Sequence, residues 1–158
     1  YYSSDFTSYI FSNGTSSLLH QKLVKEENAF VEIDAYITSS DDIGMFVVEG
    51  KITDGIELQK ATDLIWAEFK KMKEEKVNES ELQKCKNKML TYMNFSESSL
   101  LNRAISLAYY ELLGNANLIN EEEQQYDAVN AEHIQQFAQK TFTKERSNTL
   151  FYLKKESK

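Results

Sequence analysis

The stretch NGTSSLLHQKLVKEENAFVEIDAYI, residues 13–37, joins a turn, a helix and a strand without a spacer. The Asn13–Gly14 pair is a strong turn signal, and Ser16 or Ser17 can cap the helix that follows. Leucines then recur at helical spacing to about residue 27. From residue 30 the period becomes two, which predicts a strand with one wetter face. Its two predicted faces are Val31, Ile33, Ala35 and Ile37, and, on the wetter side, Phe30, Glu32, Asp34 and Tyr36.

A second strand is predicted directly after the first. The segment MFVVEGKI, residues 45–52, follows the polar loop SSDDIG, residues 39–44, and two strands joined in this way indicate an antiparallel hairpin. The segment NTLFYLKK, residues 148–155, alternates again and predicts a late strand. The sequence therefore predicts an α+β fold, in which helices pack on one face of an antiparallel sheet made of the hairpin and the C-terminal strand.

The region between the hairpin and the late strand is predicted to be helical. Asn78 and Glu81 have the spacing of a capping box, Gly114 is suited to a helix C-cap, and Asn130 is suited to an N-cap. A chain without proline and with only five glycines favours such long uninterrupted helices. The predicted helices span about residues 53–77, 78–95, 96–114, 120–129 and 131–141.

Charge and hydropathy exclude two classes of partner. The net charge is −7, and the lysines and arginines are scattered along the sequence, whereas a nucleic-acid-binding surface is basic and clustered. No apolar run approaches the roughly 20 residues of a membrane span. We therefore expect neither a nucleic acid partner nor a membrane-spanning segment in this chain.

Residues with catalytic or metal-binding chemistry are few. The chain has two histidines, His20 and His133, one cysteine, Cys85, and neither an H-x-x-E-H nor an H-E-x-x-H motif. His20 is interpreted as a partly exposed helix residue, His133 as part of a first helical turn, and Cys85 as a structural thiol. Composition and spacing alone thus describe an acidic α+β domain without a catalytic site of its own, and no cofactor is expected in it.

The opening stretch also resembles the second, non-zinc-binding domain of the zinc peptidases related to pitrilysin, insulysin and mitochondrial processing peptidase. The matching features follow the family's order over nearly the whole chain. They are Gly14, Ser16–Ser17–Leu18, Leu23–Val24–Lys25–Glu26, Ala35–Tyr36, Asp42 with Gly44 and Phe46, Glu81–Leu82, and the late helix VNAEHIQQFAQKTF, residues 129–142.

The resemblance implies how chemistry is divided in such proteins. One domain carries H-x-x-E-H, binds zinc and activates water, and another supplies an arginine and, seven residues on, a tyrosine that stabilises the oxyanion. In this chain these two positions are Val24 and Val31, neither of which can donate a hydrogen bond. The resemblance thus implies a non-catalytic domain that forms part of a substrate-enclosing chamber, with zinc bound in an upstream domain.

The same resemblance names partners and contact residues. The implied partners are the zinc-binding domain, a possible partner subunit that carries the Arg/Tyr pair, and a peptide substrate. The chain is expected to be one domain, residues 1–158, that lacks the first part of the family's domain, and to be periplasmic or in the cell envelope if the organism is bacterial. The implied substrate-contact residues are Asn13, Gly14, Lys25, Phe30 and Tyr36.

Two alternatives stay open at this stage. One is a structural scaffold subunit of the same superfamily that has no protease activity. The other is an unrelated α+β binding module whose resemblance to the family is accidental. An intact H-x-x-E-H motif upstream would separate the peptidase from the scaffold, and the fold would test the unrelated module.

Overall fold

The first helix of the fold runs through the centre of the core. The computed structural model describes residues 1–38 and 44–153, and its helix α1 spans Tyr2–Ser12. Phe6 and Phe11 are fully buried and Ile10 nearly so. The Thr7 hydroxyl, also buried, donates a 2.7 Å hydrogen bond to the carbonyl of Ser3. The buried hydroxyl therefore has a partner inside its own helix.

A π-helix, His20–Glu26, follows the predicted turn. Its wider turns are visible in the bond from the Glu27 N–H to the Lys22 carbonyl, five residues back. The sequence predicted a helix here, and the helix is confirmed. The apolar spacing does not distinguish α from π hydrogen bonding, because Leu19 and Leu23 are buried at a four-residue interval even though the helix is of the π type.

The predicted antiparallel hairpin is confirmed. Strand β1, Phe30–Thr38, pairs with strand β2, Met45–Ile52. Most of the loop predicted between them, residues 39–43, lies outside the described residues. Gly50 is required in β2 by close approach, because a Cβ there would lie 2.8 Å from the Phe30 ring.

The predicted faces of β1 are wrong at its first two residues. Phe30 is only 3% exposed, whereas Val31 is 55% exposed. The register contains an irregularity between Phe30 and Glu32, where an extra residue is accommodated. A bulge of this kind shifts the alternation by one position, so Phe30 joins Ala35 on the core side.

Five α-helices follow the hairpin within the residues that the structure describes, as predicted. They are α2, Leu58–Glu74; α3, Glu79–Glu97; α4, Leu100–Leu112; α5, Glu122–Asp127; and α6, Ala131–Thr141. Short 3-10 helices lie at Ala116–Asn120 and Lys144–Arg146. None of the helices in the described part of the chain is both long and apolar enough to cross a membrane.

The helix caps correct one detail of the sequence analysis. Asn78 does cap α3, but its side chain accepts from the Ser80 N–H, so Glu81 does not complete a capping box. A complete box forms instead at α6, where Asn130 accepts from the His133 N–H and His133 Nδ1 accepts from the Asn130 N–H. Gly114, at φ +103°, ends α4 as expected.

Aromatic rings form the centre of the core between the hairpin and the helices. Phe69 of α2 stacks on Phe142 with ring centroids 4.1 Å apart, and Phe11 and Phe46 meet both rings edge to face. The core-facing side of the hairpin is thus covered by helices, whereas its charged side chains lie on the exposed side. This arrangement confirms the α+β class with helices on one face of an antiparallel sheet.

The predicted C-terminal strand is wrong for the residues that the structure describes. Residues 148–153 have neither helix nor strand structure, and the sheet among the described residues has only β1 and β2. Leu150 and Tyr152 are 91% and 99% exposed. An alternating sequence forms a stable strand only when its backbone groups pair with a neighbour, and here the segment pairs with neither strand of the hairpin. Residues 154 and 155 of that prediction lie outside the described residues.

Candidate functional site

Three of the five candidate contact residues line one cleft. Asn13, Gly14 and Tyr36 border a space of ≈ 480 Å³ between the end of α1 and the exposed side of β1. A neighbouring cleft of ≈ 690 Å³ shares Ser12, Gly14 and Asp34 with it and continues along the hairpin. The structure therefore brings together the turn and the strand of the opening stretch. We call the two clefts, with the exposed side of the hairpin, the hairpin groove.

The other two candidates lie elsewhere. Lys25 is exposed in the π-helix and lines neither cleft. The Phe30 ring is buried against the backbone of Gly50 and offers no surface to a ligand in this structure. In the structure, the Phe30 ring packs at the bulged end of the hairpin.

The turn is held beside the strand by a specific contact. The Ser12 hydroxyl donates a 2.8 Å hydrogen bond to the carbonyl of Ala35, which ties the last residue of α1 to the middle of β1. Gly14 then takes φ +85°, which glycine adopts without strain, and its carbonyl accepts from the Ser17 N–H. This geometry directs the Asn13–Gly14 turn along the hairpin groove.

The exposed side of the hairpin carries an excess of negative charge. The register places Glu32 opposite Lys51 and Asp34 opposite Glu49. The Tyr36 hydroxyl donates a 3.2 Å hydrogen bond to Glu49, and partial desolvation together with that carboxylate raises the pKa of Tyr36. The hairpin thus presents three carboxylates and one ammonium group to the groove, which suits a ligand that carries positive charge or free backbone N–H groups.

Sequence reasoning missed His20 as a groove residue. His20 lines the larger cleft, and its Nδ1 is buried without a hydrogen-bond partner among the described residues. Asp34 could have been found from the wetter face of β1, which also carries Tyr36. Glu49 and Lys51 could not, because their positions depend on the hairpin register.

Valines occupy the two positions that the resemblance assigns to an Arg/Tyr pair, and the structure shows how far each is buried. Val24 is partly buried against the core, and Val31 is exposed at the bulge. Across residues 1–38 and 44–153, the His, Cys, Asp and Glu side chains form no group of three that could hold a metal ion. The groove therefore offers shape, charge and backbone groups, but its described residues provide no metal-binding set.

Comparison with known proteins shows which family and which solved structures this chain resembles. A family model described as the peptidase M16 inactive domain matches residues 1–89 of the 158. No curated protein matches the chain significantly in sequence. Among solved structures, the inactive peptidase domain of a protein assigned as a zinc protease from Bordetella parapertussis superposes with a TM-score of 0.88 at 15% identity, over 99% of this chain and 83% of that one.

Two further structures are similar. A protein assigned as a zinc protease from Bordetella pertussis Tohama I has a TM-score of 0.80 at 16% identity, over 92% of this chain and 80% of that one. A protease from Helicobacter pylori has a TM-score of 0.81 at 19% identity, over 90% of this chain but 34% of that one. The present chain thus spans about a third of the length of the Helicobacter protein.

The superpositions show a shared fold. The family is shown by the family model, which covers more than half of the chain. The match excludes the unrelated α+β binding module. The chain belongs to the family of peptidase M16 inactive domains.

Proposed function

We propose that this domain forms one wall of the substrate-enclosing chamber of a pitrilysin-type zinc metallopeptidase. Peptide hydrolysis would take place at a zinc-bearing domain elsewhere in the protein or complex. The observation that carries the proposal is the hairpin groove, where Asn13, Gly14 and Tyr36 meet on one exposed surface of an inactive peptidase domain.

We infer that the catalytic groups lie outside this chain. Val24 and Val31 cannot donate hydrogen bonds to an oxyanion, so the groups that polarise the scissile carbonyl belong to another domain or subunit. We infer that the zinc-binding domain of the same protein is one partner, and that a subunit carrying an Arg/Tyr pair is another. Within the chamber this chain would supply Asn13, Gly14 and Tyr36 as substrate contacts, with Lys25 at the end of the π-helix.

A second surface supports the presence of a partner domain. Helix α4 has no buried residue, and its apolar side chains are largely exposed. Contiguous exposed apolar surface on a folded domain commonly marks an interaction site. The exposed apolar residues of α4 are Leu100, Leu101, Ile105, Leu107, Tyr109 and Leu112.

The groove also indicates a substrate class. Its carboxylates, Glu32, Asp34 and Glu49, outnumber Lys51, and like-charged substrates would be repelled. We propose that the preferred substrates are peptides with lysine or arginine side chains. An exposed strand edge or face could also hold an extended peptide through backbone hydrogen bonds.

The test uses the natural-length protein together with any subunit that co-purifies with it. Cleavage of a fluorogenic peptide library should require zinc and stop on chelation, and Tyr36→Ala should lower kcat/KM about tenfold, as loss of a substrate-positioning contact does. Phe95→Ala, at an exposed position of α3, is the matched control and should leave the rate unchanged. Absence of any metal-dependent cleavage would favour the scaffold subunit, and an unaffected Tyr36→Ala enzyme would contradict the role of the groove.

A further inference from the structure

Another cavity, which meets the hairpin groove at Tyr9 and Asn13, lies between α1, the start of the π-helix, α2 and α3. It encloses ≈ 560 Å³, which is within the range of small-molecule sites. Ile10 and Leu18 give it an apolar wall together with the ring of Tyr9. Cys85 of α3 also lines the cavity and is half-buried.

The rim of this cavity is basic although the chain is acidic overall. Lys22, Lys71, Lys84 and Lys88 line it, against one glutamate, Glu81. Lys84 and Lys88 are four residues apart on α3 and so lie on the same side of that helix. The lysines come from three separate elements, so their clustering results from the fold and is not visible in the sequence.

Three of the four lysines at the rim are not held in an ion pair with a described residue. Lys22 pairs with Glu26 at 2.6 Å. Lys71, Lys84 and Lys88 form no ion pair with any residue in the described ranges. Three ammonium groups are therefore available to an anionic ligand at the mouth of an apolar cavity.

A buried hydroxyl also lacks a partner at this site. Ser17 lines the cavity and is 5% exposed, yet its Oγ has no hydrogen-bond partner among the described residues. A buried polar group without a partner costs free energy, and a ligand oxygen that reached it would recover that cost. The Ser17 side chain is thus an independent indication that the cavity holds a polar ligand atom.

We propose that this cavity binds a carboxylate carried on a short apolar group, with the lysines at the rim and the apolar group against Ile10 and Leu18. A medium-chain acid and the C-terminal residue of a peptide share this chemistry. This proposal does not depend on the proposed chamber function. Of the residues that line this cavity, only Asn13, at its edge, is also proposed as a substrate contact in the chamber.

Cys85 provides a built-in reporter, because it is the only cysteine of the chain. Burial raises the pKa of its thiol, so we expect alkylation to be slow and to become slower still when a ligand fills the cavity. The rate of alkylation by iodoacetamide, a neutral reagent, is measured with octanoate, with octan-1-ol, and with a short peptide ending in leucine as the free acid or the amide.

The expected result is that octanoate, the free-acid peptide, or both slow alkylation at least fivefold at saturation, while octan-1-ol and the amidated peptide do not. Which of the two acids binds identifies the source of the carboxylate. Absence of protection by both acids, or equal protection by octan-1-ol, would overturn the proposal.

A charge variant tests the role of the lysines. Lys84→Gln with Lys88→Gln should raise the octanoate concentration for half-protection at least tenfold, and the control pair Lys60→Gln with Lys140→Gln should not change it. Protection is compared as a ratio within each variant, since removing lysines also changes the thiol pKa. Ser17→Ala should weaken binding about threefold to tenfold, as loss of one hydrogen bond does. Equal half-protection in both lysine pairs would contradict the site.

Discussion

The hydroxyl of Tyr126 donates a 2.8 Å hydrogen bond to Oδ2 of Asp5, joining two residues that are 121 positions apart. Tyr126 is 5% exposed and also meets the rings of Tyr2 and Phe6 edge to face. Burial, with the nearby Asp5 carboxylate, raises the pKa of Tyr126 well above its usual value. The contact therefore fastens the short helix α5 to α1, and the phenol stays protonated to donate.

Tyr126→Phe should destabilise the fold. The variant keeps the ring packing but leaves a partly buried carboxylate without its donor, at a cost of about 1–3 kcal/mol in the free energy of unfolding. Urea denaturation at neutral pH measures this cost. A change below about 0.3 kcal/mol would show that water replaces the phenol without loss.

Asp5 makes stability depend on pH. Burial raises its pKa above the ordinary 3.8, although the Tyr126 hydrogen bond acts in the opposite direction. The folded state thus holds the proton more tightly, so Asp5 contributes stability that is present below pH 3.8 and is lost as the pH rises through the folded-state pKa. Asp5→Asn removes the titrating carboxyl and therefore also removes this loss of stability. The free energy of unfolding of Asp5→Asn relative to the unmodified chain should therefore increase from acidic to neutral pH, and a difference that stays constant would contradict the assignment.

Phe69 should be among the most costly core positions. Its ring is 9% exposed and stacks on Phe142 with an interplanar angle of 13°. Phe69→Ala should lower the free energy of unfolding by about 3–5 kcal/mol, as deletion of a buried aromatic ring does. Phe95→Ala, at a side chain that is 74% exposed, is the control and should change it by less than about 0.5 kcal/mol. Comparable losses of unfolding free energy for the two variants would contradict the placement of Phe69 in the core.

The acidic hairpin groove predicts substrate preference if the chamber proposal holds. Asp34→Asn with Glu49→Gln should lower kcat/KM for lysine-rich peptides about tenfold in the natural-length protein, with little effect on neutral peptides. The control pair Glu123→Gln with Glu145→Gln removes the same charge elsewhere on the surface. An equal effect of the two pairs would point to the overall charge of the protein and against the groove.

The order of elements could be read from the sequence because it depends on local periodicity. The change from helical spacing to alternation at Phe30 and the turn at Asn13–Gly14 located the hairpin correctly. The bulge at Val31 could not be read, because it is set by backbone pairing with β2 and leaves the alternation of residue types unchanged. The strand predicted at residues 148–155 failed for the same reason, since a strand is stabilised by a partner that the sequence does not name.

The candidate contact residues could be read from the sequence only as a hypothesis. Asn13, Gly14 and Tyr36 were proposed through a resemblance that links turn and strand, and the Ser12 hydrogen bond to Ala35 explains why the fold brings them together. Their contact with a substrate stays a prediction. The contributions of Glu49 and His20 depend on how distant segments pack. The lysine-lined cavity was invisible to sequence reasoning, because lysines that are scattered along the chain converge only after folding.

The most direct test of the chamber account is site-specific photocrosslinking in the natural-length protein. Tyr36→p-benzoylphenylalanine places a photoreactive ring in the hairpin groove, and Phe95→p-benzoylphenylalanine places the same ring at an exposed position of α3. Irradiation with a labelled lysine-rich peptide should attach the label at position 36 and leave position 95 unlabelled. Labelling at both positions to the same extent, or at neither, would contradict the claim that this domain presents the groove to substrate.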